Sequence, residues 1–387
     1  MRISIVSTMG GVPWGGSEEL WAEMSRTGVE YGHKMAAWLW RHDKIRPQVQ
    51  KLEAVGVQIA QYPPPDTWYQ KLRQRFVIRH PGIARRCPKF FKSFESLFRA
   101  TPDVVFLSLG DTYVLGLHRE FQFLVDELIA RSIPYVVVVQ LSVDHWTPDA
   151  SAAAVTQRAF NHAHCVGFVS EHNRQLIRRQ LAAPLPNAIV VRNPVNMADV
   201  APVAFPRNEI VAMACVGRFQ LAHKGQDRLI ESMAVPVWRG RDWQLRLYGA
   251  GPDESKVRQL IASHQLEDKI EVCGHMHDIR ALWADNQLLV MPSLMEGTPL
   301  AMVEAMLCGR PVVGTKVGGI PEWVEEGKSG FIADSPTVES LAAALERAWA
   351  ARTTWESMGK VANERAMALH DPDPGLTLLK ILEEAAS

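Results

Sequence analysis

QLLVMPSLMEGTPLAMVEAMLCGRPVV (287–313) reads as a strand, a turn, a helix and the start of a second strand. QLLVMPS is an uninterrupted apolar run of strand length. EGTP is turn chemistry, and Pro299 suits the first turn of a helix. LAMVEAMLCG is then a helix closed by Gly309, and PVVGTKVGG (311–319) supplies the next strand. Two apolar strands joined through a helix make a parallel βαβ unit. The stretch also holds two carboxylates, Glu296 in the turn and Glu304 in the helix, with seven residues between them. Carboxylates in apolar surroundings are costly unless paired or hydrogen-bonded, so both need an explanation.

The same alternation extends in both directions. Downstream of residue 209 the apolar runs are IVAMACVG (210–217), QLRLYGAG (244–251), IEVCG (270–274), QLLVMPS, PVVGTKVGG and SGFIA (329–333). Upstream they are ISIVS (3–7), MAAWLW (35–40), DVVFLSL (103–109), YVVVVQLS (135–142), CVGFVS (165–170) and AIVVRN (188–193). Helices are expected over Ser17–Tyr31, Tyr113–Arg131 and Glu171–Leu181. Strands that are apolar throughout are buried on both faces, as in parallel sheets covered by helices. NPVNMADVAPVAFPRNE (193–209), rich in proline and asparagine, reads as a linker. The expectation is an α/β chain of two Rossmann-like, doubly wound domains facing a cleft, 1–195 and 207–370. The last segment, 371–387, is expected as a helix packing back on the first domain.

The totals agree with a chain of 387 residues forming more than one core. Lysine plus arginine and aspartate plus glutamate both count 42, so no net charge draws the chain to nucleic acid. Five cysteines lie apart with no CxxC pair and read as small buried residues in a reducing compartment. No zinc signature is present. The first apolar run is too short for a signal peptide or a membrane span, and a cytoplasmic location at or near the inner face of the membrane is expected. Residues 71–100 carry nine Lys/Arg against one acid, Glu95, with phenylalanines between them. They form either a solvated helical face or a peripheral contact with a membrane or an anionic acceptor.

Three constellations could carry chemistry. Gly10, Gly11, Gly15 and Gly16 lie between the first strand and its helix, where backbone can approach phosphate. The spacing is not GxGxxG, which argues against a dehydrogenase. In VGRFQLAHKGQDRLIESM (216–233), Arg218 and Lys224 flank a strand-to-helix loop and suit a diphosphate. In the opening stretch, the amides near Thr298–Leu300, at the helix amino terminus, suit a phosphate. They stand between a carboxylate on either side, in the order in which a sugar nucleotide presents hydroxyls, diphosphate and hydroxyls.

These motifs, together with GGSEELWAEM, LYGAGPDE, IEVCGHMHDI and GGIPEWVEEGKSGFI, resemble the retaining glycosyltransferases of family 4, which have the GT-B fold. The resemblance spans roughly residues 1–370 and is densest from 210 to 335. It implies that Glu304 binds the donor ribose and Glu296 the hydroxyls of the transferred sugar. It implies that Arg218 and Lys224 hold the diphosphate and stabilise the leaving group, with Gly249 and the backbone around Gly297, Thr298, Pro299 and Leu300 at the same donor. His275 and Met276 would line the base pocket, and Gly15 and Gly16 would cover the phosphates. Many relatives place a histidine near the sugar where this chain has Gln140, so His145 is a candidate substitute.

The implied activity moves a hexose-type sugar from a UDP- or GDP-sugar to a saccharide or lipid-linked hydroxyl, in polysaccharide or glycoconjugate biosynthesis. Transfer is expected on the same face and without a metal or other cofactor. Asp371 and Asp373 spell a DxD pair, but they stand between prolines at the start of the last helix. Another GT-B enzyme, an epimerase or a phosphorylase, and a non-catalytic sugar-nucleotide-binding protein remain alternatives.

Overall fold

The computed structural model describes residues 1–10, 14–42, 46–62, 94–207 and 209–387. Most of the basic segment, residues 71–93, lies outside the described residues, as do Gly11 and Cys87. The chain forms two compact units, residues 1–194 with 372–387, and residues 195–371.

Among the described residues the first unit holds seven strands, β1 (Arg2–Ser7), β2 (Lys34–Trp40), β3 (Gln58–Tyr62), β4 (Val104–Leu109), β5 (Tyr135–Val139), β6 (Cys165–Phe168) and β7 (Ala188–Val190). Their order is β3-β2-β1-β4-β5-β6-β7, and every pairing is parallel. β4 and β5 are buried along their whole length. Alternate residues serve opposite faces, as the strand period requires. Val105, Leu107 and Leu109 enter one core, and Val104 and Phe106 the other. The second core is completed by the Pro374–Ala386 helix through Leu378, Leu379 and Leu382. A hydrogen bond of 2.9 Å between His33 and Glu383 joins the same helix to the start of β2.

The second unit holds β8 (Val211–Val216), β9 (Trp243–Tyr248), β10 (Ile270–Gly274), β11 (Leu288–Met291), β12 (Val312–Thr315) and β13 (Gly330–Ala333). The order is β10-β9-β8-β11-β12-β13, again all parallel. Both units are thus doubly wound α/β layers. In each, the strand order reverses direction where two neighbouring strands begin their separate halves, which opens a crevice at the carboxyl ends.

Residues 195–206 do not hang free. Val195, Met197, Val200 and Val203 pack on the core of the second unit. Arg310, 0% exposed, donates to the carbonyls of Val203 and Ala204, and to those of Trp283 and Asn286. Burial brings its guanidinium down to about 10, so it stays charged at neutral pH.

Two local readings are corrected. β3 is absent from the apolar runs because it is an edge strand, with Gln58 and Gln61 exposed. The helix expected over Tyr113–Arg131 is two helices, Val114–Leu117 and Arg119–Ala130, separated at an extended His118. Gly116 lies so close to the Ala150–His162 helix that a Cβ there would stand 2.2 Å from the Ala152 carbonyl oxygen. The Gln122 side chain then satisfies the Gly116 carbonyl at 2.5 Å.

Candidate functional site

In the second unit the loops after β8 and β11 are built against each other. The Leu221–Lys224 turn ends at Gly225, whose φ is +64°. A Cβ on Gly225 would lie 2.1 Å from the Pro292 carbonyl oxygen, so only glycine allows the two loops to meet. The His223 carbonyl accepts hydrogen bonds from the amides of Leu294 (2.8 Å) and Met295 (3.4 Å). The turn is held from its other side as well. Thr315 Oγ1 donates to the Ser293 carbonyl at 2.5 Å, and the Gly319 amide donates to the Gly297 carbonyl at 2.7 Å.

This framework brings Lys224 and Glu296 together. Lys224 Nζ lies 2.6 Å from Glu296 Oε1, and Ser293 Oγ donates to the same oxygen at 2.7 Å. The Glu296 side chain is 8% exposed and that of Lys224 28%. A carboxylate so enclosed is tolerable because a cation and a hydroxyl both reach it. Arg218 is exposed, while its carbonyl accepts from Gln226 Nε2 at 3.0 Å, which fixes the backbone from which its side chain extends. His223 is held below the usual imidazole range, by burial first and then by the charge of Lys224.

The helix of the opening stretch runs Leu300–Leu307, with Pro299 as its extended cap residue, one position before the first turn. Its amino-terminal amides therefore begin beside the buried Gly297. Glu304, 3% exposed, points off this helix toward residue 196. Its Oε1 accepts from both the backbone nitrogen and Nδ2 of Asn196, each at 3.0 Å. Burial pushes its carboxyl above the usual range. Glu296 and Glu304 thus have separate surroundings, one paired with a lysine and one held by amides. Gly249, just beyond β9, packs against Gly217 at the end of β8, and its amide donates to the Gly274 carbonyl at the end of β10 at 2.8 Å. His275 and Met276 are exposed just beyond, with the His275 and His277 rings 4.6 Å apart.

In the first unit Gly15 is the extended residue before the Gly16–Glu30 helix. Gln140, at the end of β5, is 8% exposed and pairs reciprocally with Asn193 through both amides, at 2.8 and 3.2 Å. His145 stands exposed on the loop beyond. Its neighbour Asp144 pairs with His172 at 2.9 Å. Asp373 is the cap of the last helix, accepting from the Leu376 amide at 3.0 Å. Among the described residues no group of three or more His, Cys, Asp or Glu is placed to hold a metal ion. No described helix is long and apolar enough to cross a membrane.

Three participants are not singled out by the sequence. Asn196 lies in a stretch that reads as linker, and Ser293 and Thr315 lie in strand ends. Only Ser293 carries a local signal, three residues before a turn carboxylate.

Comparison with known proteins gives the same picture. Residues 211–351 match the family model of group 1 glycosyl transferases. A protein of Salmonella typhimurium assigned as a colanic acid biosynthesis glycosyltransferase is 40% identical over 130 residues, 32% of either chain. One subunit of the human phosphatidylinositol N-acetylglucosaminyltransferase is 30% identical over 193 residues, 49% of this chain and 38% of that one. The chain spans well under half the length of these curated relatives. The crystal structure of the Anabaena protein HepE in complex with UDP superposes with a TM-score of 0.71 at 18% identity, over 99% of both chains. The chain accordingly has the two-domain GT-B fold, and it carries the group 1 glycosyl transferase pattern across most of its second unit.

Proposed function

We propose that the protein is a retaining glycosyltransferase. It transfers a hexose-type sugar from a UDP- or GDP-sugar to a hydroxyl of a saccharide or lipid-linked acceptor, in polysaccharide or glycoconjugate assembly. The observation that carries the reading is the Lys224–Glu296–Ser293 cluster beside the start of the Leu300–Leu307 helix. It puts a cation, a carboxylate and helix amides at the carboxyl ends of β8 and β11, where α/β sheets bind ligands. The similarity to glycosyltransferases over residues 211–351 supports the same class of reaction.

In this reading the diphosphate takes over part of the charge of Lys224 and lies against the amides of Gly297, Thr298 and Leu300. Arg218 closes on it from solvent. Charge building on the departing phosphate oxygen is then met by groups already in place, which is the main source of rate for such a step. Glu296 is released to accept hydroxyls of the sugar, and Glu304 those of the ribose. No carboxylate is assigned as a nucleophile, so attack occurs on the face that the leaving group vacates. The acceptor oxygen forms its bond to the anomeric carbon as the bond to phosphate breaks, and the acceptor proton passes to the leaving phosphate oxygen.

The test is thermal unfolding with UDP, GDP, ADP and their glucose conjugates. Ligands that bind only the folded state raise the melting temperature by mass action. A shift with UDP or GDP, followed by sugar transfer with retained anomeric configuration, is expected. No shift with any nucleotide, or inverted product, overturns the proposal. Free phosphate as the required co-substrate would favour a phosphorylase, and donor turnover without acceptor an epimerase.

A further inference from the structure

The first unit contains a cavity of about 30 Å³ at the carboxyl ends of β1 and β2, bordered by Ser7, Trp14, Glu18, Trp21, Trp40 and Arg46. Glu18 is 3% exposed and, among the described residues, has no cation among its hydrogen-bond partners. Its carboxylate accepts from Ser7 Oγ at 2.5 Å, Ser17 Oγ at 2.6 Å and Trp21 Nε1 at 3.3 Å. An ionised carboxylate offers about four acceptor positions, so one remains. Trp40, 4% exposed, lines the same cavity, and its indole Nε1 is buried with no hydrogen-bond partner among the described residues. Buried indole donors are normally satisfied, and an orphaned one calls for a missing partner. Trp14 is fixed by donating to Glu19 at 2.6 Å, and its ring packs against Trp21 with centroids 5.5 Å apart.

One remaining acceptor position and one unfilled donor in a single small cavity complement one alcohol group, which donates once and accepts twice. The volume admits a group little larger than a water, so it takes a hydroxymethyl arm and not a whole ring. Trp14, which is partly exposed, suits a C–H face of the pyranose that carries such an arm. From these facts we infer that the Ser7–Glu18–Trp40 cavity is a saccharide subsite that anchors the hydroxymethyl group of a neutral hexopyranosyl acceptor. Its hydroxyl donates to Glu18 and accepts from Trp40 Nε1. The inference deepens the reading of the chain as a transferase with a saccharide acceptor, and it stands on residues of the first unit alone.

The full-length protein is titrated with the methyl glycosides of glucose, galactose, mannose and xylose, following tryptophan fluorescence. Xylose lacks the hydroxymethyl arm and serves as control. UDP, followed by calorimetry, is the independent probe of the second unit. Saturable binding of at least one hexoside is expected, with the xyloside weaker by about tenfold or more, as for a lost buried hydrogen-bonding group. Trp40→Phe, which keeps the ring and removes the donor, and Glu18→Gln should each weaken that hexoside by about tenfold while leaving UDP binding unchanged. A cavity that holds only water gives no saturable response, and this overturns the inference. Equal affinity for the xyloside, or unchanged hexoside binding by Trp40→Phe, overturns it too. Loss of UDP binding in the wild-type protein would instead count against the donor reading.

Discussion

Asn196 holds a single oxygen of Glu304 with two hydrogen bonds, one from its backbone and one from its side chain, across 108 residues of sequence. If Glu304 receives the donor ribose, Asn196 sets the carboxylate's rotamer before the nucleotide arrives. Asn196→Ala removes the side-chain bond and keeps the backbone one. A hydrogen bond to a charged group contributes about 1.5–3 kcal/mol. The variant should bind UDP about tenfold more weakly or worse and lose part of its preference for UDP over 2′,3′-dideoxy-UDP. Glu304→Ala should abolish that preference. If Glu304→Ala has the effect and Asn196→Ala does not, the rotamer argument fails while the ribose assignment stands.

This relationship also marks what the sequence conceals. The carboxylates and cations are legible because the chemistry is local. A strand, a short turn and a helix put Glu296 and Glu304 in register with helix amides, and a strand end followed by Gly225 places Lys224. The alternation of buried runs likewise makes both parallel sheets legible, apart from edge strand β3 with its exposed glutamines. Asn196 is hidden because proline and asparagine read as linker. Its packing depends on Arg310, Arg280 and Cys308 closing onto the 195–206 strap from distant positions. The Glu18 cavity is hidden for the same reason, since β1, β2 and the Gly16–Glu30 helix each contribute only part of it.

Lys224 and Glu296 give a test that separates stability from catalysis. Lys224→Ala leaves an enclosed carboxylate without its cation, at a cost of about 1–3 kcal/mol. Glu296→Gln in the Lys224→Ala background removes the stranded charge and should recover most of the lost melting temperature. Transfer should not recover, because the diphosphate still lacks its lysine, and a fall of about 100- to 1000-fold in kcat is expected for a lost transition-state donor. Thermal unfolding and single-turnover rates on the two variants check both halves. Wild-type rates in Lys224→Ala would remove the lysine from the mechanism.

Gly225 is the joint between the loops that follow β8 and β11. Alanine there must adopt a positive φ and place its Cβ within 2.1 Å of the Pro292 carbonyl oxygen. Strain of this kind costs about 1–3 kcal/mol before any steric displacement is added. Gly225→Ala should lower the melting temperature and reduce UDP binding together, because the Pro292–Glu296 turn has to move. Unaltered stability and unaltered UDP affinity would show that the loops are not locked in the way the hydrogen bonds at His223 indicate.

The Asp371/Asp373 pair has a structural assignment that can be set against metal binding. Asp373 caps the Pro374–Ala386 helix through the Leu376 amide. Asp373→Ala should therefore cost about 1 kcal/mol of stability, the usual loss for a removed cap. It should leave transfer per folded molecule unchanged. EDTA should leave transfer by the wild-type protein unchanged as well. Abolition by EDTA with rescue by Mn²⁺ would return the pair, or another acidic group, to the mechanism.

Glu18 gives the stability of the first unit a specific pH dependence. Burial raises its carboxyl above the usual 4.5, outweighing the hydrogen bonds from Ser17, Ser7 and Trp21, and the nearby charge of Glu19 adds to the rise. His42 and Arg46 border the same cavity. A raised folded value means that the folded protein holds this proton more tightly than the unfolded chain. The associated stability is fully present below pH 4.5 and is lost as pH rises through the folded value. Glu18→Gln has nearly the same shape and does not titrate. Its melting temperature should therefore gain on that of the wild type as pH is raised from about 4 toward about 8. Differential scanning calorimetry of both proteins across that range measures the gap, and a gap that stays constant with pH would show that Glu18 is ionised as readily in the folded protein as in the unfolded chain.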